Sequence, residues 1–207
     1  MVENNRVNLC GKIAKEIEFD HEIHGEKFFR TDIATERLSG TVDLVPILVP
    51  EVLLSEKMET GEYVEVTGSF RSYNRSGEGG RKLILEVFAD KIELLENAEC
   101  SENVIELDGY ICKEPVYRKT PLGREIAEIL LAVNRAYGKS DYIPCIAWGR
   151  TARLASKLSV GKHIKIKGRI QSRVYTKRVG ENAYIERMAH EVSISLLETE
   201  EEEGEKR

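Results

Sequence analysis

Apolar residues fall on alternate positions over much of the chain. From 105 to 111, Ile105, Leu107, Gly109 and Ile111 alternate with polar or aromatic residues. From 163 to 171, Ile164, Ile166, Gly168 and Ile170 alternate with His163, Lys165, Lys167, Arg169 and Gln171. A period of two is that of strands with one buried face. Between Trp148 and Gly161 the spacing changes, with Ala152, Ala155 and Leu158 three apart, which predicts a short helix. The polar, glycine-bearing stretches at Ser76 to Gly80 and Arg178 to Asn182 predict exposed hairpin tips. DHEIHGE, around His21 and His24, reads as a solvated loop.

The pattern occurs twice. NLCGKI (Asn8 to Ile13) resembles ELDGYI (Glu106 to Ile111), and the same shift of 98 relates Gly25 to Gly123, Arg37 to Arg135, Asp43 to Asp141 and Pro46 to Pro144. Further on the shift becomes 100, relating Gly61 to Gly161, Gly68 to Gly168 and Ser72 to Ser172. Both halves close on similar text, KIELLE and SISLLE. Such self-similarity marks an internal duplication. Each half reads β-β-β-α-β-β, so the expected fold is all-β, two tandem five-stranded Greek-key barrels of the OB-fold type, each with one short helix. The expected domains are 1–97 and 98–198, followed by an acidic disordered tail at 199–207.

Composition changes this picture in three ways. The net charge of −5 is unevenly spread: residues 1–97 hold 12 Lys/Arg against 19 Asp/Glu, a net of −7, whereas residues 98–198 hold 17 against 12, a net of +5. The four cysteines form no CxxC pair and the four histidines no HExxH, so no metal site is expected, and the cysteines read as reduced structural thiols. No apolar run approaches the roughly 20 residues that span a bilayer, and the first residues lack a secretory pattern. The expected compartment is the cytoplasm.

The run LAVNRAYGKSDYIPCIAWGRTA (Leu131 to Ala152), GRIQSRVYTK (Gly168 to Lys177) and the preceding YRKTPLG (Tyr117 to Gly123) together resemble the bacterial single-stranded DNA-binding protein family. The resemblance covers nearly all of 103–198, while the first half shares the glycine framework and little of the motif text. It implies that bases stack on rings at Tyr137, Tyr142, Trp148 and Tyr175. Stacking on an aromatic ring needs no particular sequence, because every base has a π-face. Tyr142 and Trp148 are six apart and fall on one strand face. The competing reading of Trp148 is as a core residue. Around these rings stand cations suited to phosphates: Arg118, Lys119 and Arg124, then Arg135 and Lys139, then Lys165, Lys167 and Arg169, then Arg173, Lys177 and Arg178.

The first half has Ser39, Leu44, Pro50 and Arg75 at the four stacking places, so its barrel is expected to have lost most of the DNA surface. Arg71, Tyr73, Arg75, Arg81 and Lys82 remain as a possible secondary contact. Gly138-Lys139-Ser140 lacks the upstream glycine of a phosphate loop, since Val133 stands there. No catalytic constellation and no cofactor motif is present, and the chain reads as a binding protein without enzymatic activity. The expected activity is sequence-nonspecific binding and protection of single-stranded DNA in replication, recombination or repair. Two alternatives stand beside it, a primosome-like protein-interaction adaptor and an RNA-binding module. The resemblance further implies four barrels acting together, here a homodimer, with replication or repair proteins as possible partners. The family's apolar C-terminal tip has no match in Thr199 to Arg207, so recruitment by that route is not expected.

Overall fold

The computed structural model describes residues 4–77, 80–96, 100–178 and 184–199, with all side chains of these except those at 76, 77, 80, 81, 137, 177 and 178. Most of the expected acidic tail and both hairpin tips lie outside the described residues. Packing divides the chain into two compact units. One is built on Arg6–Val104 together with Ile170–Glu191, the other on Ile105–Arg169 closed by residues from Val192 onward.

In the first of these units the strands are β1 (Asn5–Ile13), β2 (Glu18–Ile23), β3 (Glu26–Glu36), β4 (Val42–Pro50), β5 (Tyr63–Gly77) and β6 (Gly80–Leu94). β3 pairs antiparallel with β4, β4 parallel with β6 through Ile47 and Leu48, β6 antiparallel with β5, and β5 antiparallel with β1. Pairing of Lys12 with Ala34 and Ile13 with Ile33 joins β1 back to β3 and closes the barrel. The inward residues of the alternation, among them Val7, Leu9, Ile33, Val45, Ile47, Val64, Val66, Phe70 and Val87, form its core.

The other unit repeats this plan with β7 (Glu102–Ile111), β8 (Val116–Lys119), β9 (Glu125–Asn134), β10 (Ser140–Trp148), β11 (His163–Arg178) and β12 (Tyr184–Thr199). The closing pairs are Tyr110 with Ala132 and Ile111 with Leu131. The expected helix is α1 (Gly149–Ala155), which buries Ala152 and Ala155 and ends before Leu158. Its counterpart in the first half is a single 3-10 turn, Glu51–Leu53.

Three features differ from the sequence reading. Each barrel carries a sixth strand, β2 or β8, paired only to its successor at the end of the strand order. The stretch read as a solvated loop is the β2–β3 hairpin, turned by His24 and Gly25 at φ 52° and 84°. Two consecutive positive φ values match the right-handed twist of a tight hairpin. Next, the hairpin arm Ile170–Glu191 packs with the first half of the chain. Ser172 donates its backbone N–H to Asp43 Oδ1 at 2.8 Å, and its hydroxyl accepts the Leu44 N–H at 3.0 Å. His190 Nε2 donates to the Leu44 carbonyl at 3.0 Å, and the Asn103 amide brackets the backbone of Ile170 at 2.7 and 2.8 Å.

Lastly, Cys10 and Cys100 form a disulfide, with Cα atoms 5.6 Å apart, which corrects the reading of these two as reduced thiols. The polar joining stretch returns beside β1, where Ser101 also bonds the Glu36 backbone at 2.7 and 2.8 Å. Cys112 and Cys145 are free thiols. In the chain-entropy account a closed loop of this length stabilises by up to about 4.6 kcal/mol. Thiol titration of the denatured, unreduced protein should therefore find two groups, and reductant should lower the melting midpoint of the parent but not of Cys10→Ser. Four reactive thiols in the unreduced protein would refute the pairing.

Candidate nucleic-acid interface

The site is built on β10. Its inward residues Asp141, Ile143, Cys145 and Ala147 are buried, which leaves Tyr142, Pro144 and Trp148 directed outward. Tyr142 is 50% exposed and Trp148 36%, so both rings stand on one open face and the core reading of Trp148 is set aside. Register sets them opposite Ala132 and Ile126 on β9, which share their face of the pair. Trp148 Nε1 donates to Ser193 Oγ at 3.1 Å, which holds one edge of the partly exposed indole. Tyr137 lies in the 3-10 turn Ala136–Gly138 just before this strand, its side chain being outside the described residues.

Tyr175 belongs to the β11–β12 arm, 36% exposed, with the Arg173 guanidinium 5.8 Å from its ring centroid. Arg173 also faces Glu191 at 3.6 Å. Lys177 and Arg178 carry on this strand, their side chains outside the described residues. Tyr184, also in the arm, is exposed, and so is Tyr117 on β8. Neither was singled out as a ring on sequence grounds. Tyr117 lay within the matched first-loop motif and was the readable one. Its hydroxyl donates to Glu125 at 2.6 Å, which raises the phenol's pKa and lowers that of the carboxyl.

The cations are of two kinds. Lys119, Arg124 and Lys139 are exposed and make no ion pair among the described residues. Arg118, Arg135, Lys165, Lys167 and Arg173 are matched with carboxylates. Arg135 holds buried Asp141 with Nε and Nη2, as Arg37 holds Asp43 at 2.6 and 2.7 Å in the first half. On the outward face of β11, Lys165 and Lys167 stand opposite Asp108 and Glu106 of β7, 3.8 and 2.8 Å away. His163 bonds Asp108 at 2.5 Å and leans on Tyr110. Arg169 is half-buried at the end of this row, and Arg118 pairs with Glu128 at 2.5 Å. The lysine row that looks basic in sequence is, with its neighbouring strand, close to charge-balanced.

The secondary set in the first half is bound up in an acidic network. Tyr73 donates to Glu86 at 2.9 Å and accepts from Arg30 at 2.9 Å. Burial first, and then Glu86, push the Tyr73 phenol up to about 12. Arg30 spans Glu86 and Asp20 at 2.8 and 2.6 Å, and Arg75 reaches Asp20 at 3.4 Å. Arg71 is half-buried, Lys82 is exposed, and the Arg81 side chain lies outside the described residues. Tyr73 is thus a hydrogen-bonded strut within the barrel wall.

Burial lowers the pKa of His190, whose bond to Leu44 only partly offsets that effect. The unfolded chain then takes up a proton near pH 6.5 that the folded arm resists. Stability from this group is complete above that pH and falls as pH drops through 6.5 towards the lowered folded value. The melting midpoint of the parent should fall more between pH 7.5 and 5.5 than that of His190→Gln. Identical pH profiles would show that the arm is not held through this neutral imidazole.

Comparison with known proteins places the β7–β12 half. A family model described as the single-strand binding protein family matches residues 102–197. The chain is similar to a single-stranded DNA-binding protein of Bacillus cereus, 34% identical over 112 residues, covering 51% of this chain and 65% of the relative. Against single-stranded DNA-binding protein B of Bacillus subtilis it is 34% identical over 90 residues, covering 40% of this chain and 80% of the relative. The wild-type single-stranded DNA binding protein of Thermus aquaticus has a similar fold, with a TM-score of 0.73 at 21% identity over 96% of this chain and 93% of that one.

Proposed function

The chain belongs to the single-strand binding protein family, and on that premise we propose that it binds and protects single-stranded DNA without reading its sequence. It spans 65% of the length of the Bacillus cereus relative, and the activity of the whole protein is our reading. One observation carries it: Tyr142 and Trp148 stand exposed on the same outward face of β10, within the stretch that the family model matches. Two such rings offer consecutive platforms for bases, with Tyr137 before them in the chain and Tyr175 on the arm completing the proposed set. Lys119, Arg124 and Lys139 serve the phosphates, with Arg173, Lys177 and Arg178 along the arm.

The reaction this surface performs is binding alone, without catalysis or a cofactor. The work lies in exchanging base–base stacking and water for base–ring stacking, while phosphate contacts position the strand and carry no sequence information. Residues 1–97 and 98–198 act as two barrel domains, and a homodimer would present four. The setting is replication, recombination or repair in the cytoplasm.

Titration with oligo-dT should quench the lone tryptophan, and Trp148→Ala should weaken binding by about 1–3 kcal/mol, the scale of one base–aromatic stack. Tight binding with unchanged fluorescence and a normal alanine variant would remove Trp148 from the site. Tighter binding of oligo-U than oligo-dT would favour the RNA reading. Because several cations already face carboxylates, about three phosphates should be neutralised, and log K should fall with log salt at a slope near −2. A flat response would mean that the exposed cations do not touch the strand.

A further inference from the structure

Residues directly opposite in an antiparallel pair lie on the same face of the sheet. On β9 and β10, Ala132 therefore stands beside Tyr142, Leu130 beside Pro144, Glu128 beside Ile146 and Ile126 beside Trp148. On the other side of β9, Val116 is opposite Glu128 and Arg118 opposite Ile126. Among these positions Glu128 is the one acid, on an otherwise apolar floor between the exposed rings of Tyr142 and Trp148. Its side chain is half exposed. Arg118 donates to its Oε1 from both Nε and Nη2, at 3.2 and 2.5 Å, and Oε2 has no partner among the described residues. A carboxylate on a surface that holds a polyanion is repelled by phosphates, and Arg118 offsets that charge without using the second oxygen. The open oxygen can take a hydrogen-bond donor, which phosphates lack and base edges carry.

We propose that, on the reading of β10 as a platform for a single strand, Glu128 grades the bases held beside Trp148 and favours those with an exocyclic amino group over thymine and uracil. Glu128 and Trp148 are diagonal neighbours across β9 and β10, a separation of about 7–8 Å that long and aromatic side chains bridge. Ser193 holds the indole from the β12 side and Glu128 stands on the β9 side, so a base laid on the ring can turn one edge to the carboxylate. Cytosine presents its N4 amino group to such an acceptor, adenine its N6 and guanine its N2. Thymine and uracil offer a single ring N–H set between two carbonyl oxygens, and those oxygens repel a carboxylate. Stacking still holds every base, so the result is a bias in composition laid over binding that needs no particular sequence. Arg118 then acts as the counter-charge that lets an acid stand within this patch, and not as a phosphate contact.

Anisotropy titrations of the full chain with oligo-dC and oligo-dU of equal length test this, in mildly alkaline buffer where cytosine is neutral. The two bases differ only at ring positions 3 and 4, and neither carries the thymine methyl. Their phosphates are equal in number and carry no sequence information, so the loss of a charge at 128 acts on both and cancels in the ratio of affinities. The ratio of oligo-dC to oligo-dU affinity should be about three- to tenfold greater in the parent than in Glu128→Ala, the scale of one net hydrogen bond. Glu128→Gln, which keeps the size and whose amide serves either base, should lose the same excess. The proposal is overturned if Glu128→Ala keeps the parent's ratio or raises it. Failure of the parent to bind either oligomer is a separate result, which would remove the single-strand reading itself and the grading with it.

Discussion

Closure of each barrel depends on a backbone approach closer than any side chain permits. At Gly11 a Cβ would run into the carbonyl of Ala34, and at Gly109 into that of Ala132, where the first and third strands of each half meet. At Gly68 it would meet the Phe88 carbonyl, and at Gly168 that of Ser193. The obstacle in every case is main chain, which cannot swing aside as a flexible side chain can. Near Gly68 the register of β5 against β6 also shifts, the local bend that lets a flat ladder curl. The same two places are glycine in both halves because both halves solve one steric problem. That constraint is independent of what the outer surface binds, so the surfaces were free to diverge.

A second repeated device sets where divergence can act. Arg37 with Asp43, and Arg135 with Asp141, lock the turn between the third and fourth strands of each half from inside. A buried aspartate without such a partner would be costly, and a forked guanidinium satisfies both its oxygens. Because the aspartate points inward, the next residue on the strand must point outward. That residue is Leu44 in one half and Tyr142 in the other. At Leu44 the backbone is occupied by Ser172 and His190 of the arm, whereas Tyr142 presents half its surface to solvent. One topological position thus serves packing in the first half and presents an exposed ring in the second.

The barrels were legible in the sequence because alternation and the glycine repeats follow from the same closure. The outward face of β10 was legible because six residues on a regular strand return a side chain to its starting side. Other features depend on partners that spacing does not reveal. Cys10 and Cys100 are 90 residues apart and meet only because the joining stretch returns to β1. The β2 strand reads as loop because neither of its faces is buried deeply, so its alternation of polar and apolar residues stays incomplete. Lys165 and Lys167 look like a cationic stripe until register sets Asp108 and Glu106 beside them. Tyr73 is aromatic and flanked by cations in sequence, but Glu86, 13 residues on, claims its hydroxyl.

These neighbours change how the surface can hold a polyanion. Over a Debye length of about 10 Å at 0.1 M salt, a strand on β10 senses the charges close to it and little of the chain's total. The net of −5 is therefore no obstacle, but the local excess of cations is also smaller than a residue count suggests. Carboxylates paired to Lys165, Lys167, Arg118 and Arg135 cancel most of the attraction those residues would offer. In the proposed site, affinity would then rest more on Tyr142 and Trp148 than on charge. Ring stacking depends weakly on salt and is indifferent to base identity, so a surface weighted this way would hold a single strand over a wider range of ionic strength than a purely cationic groove would.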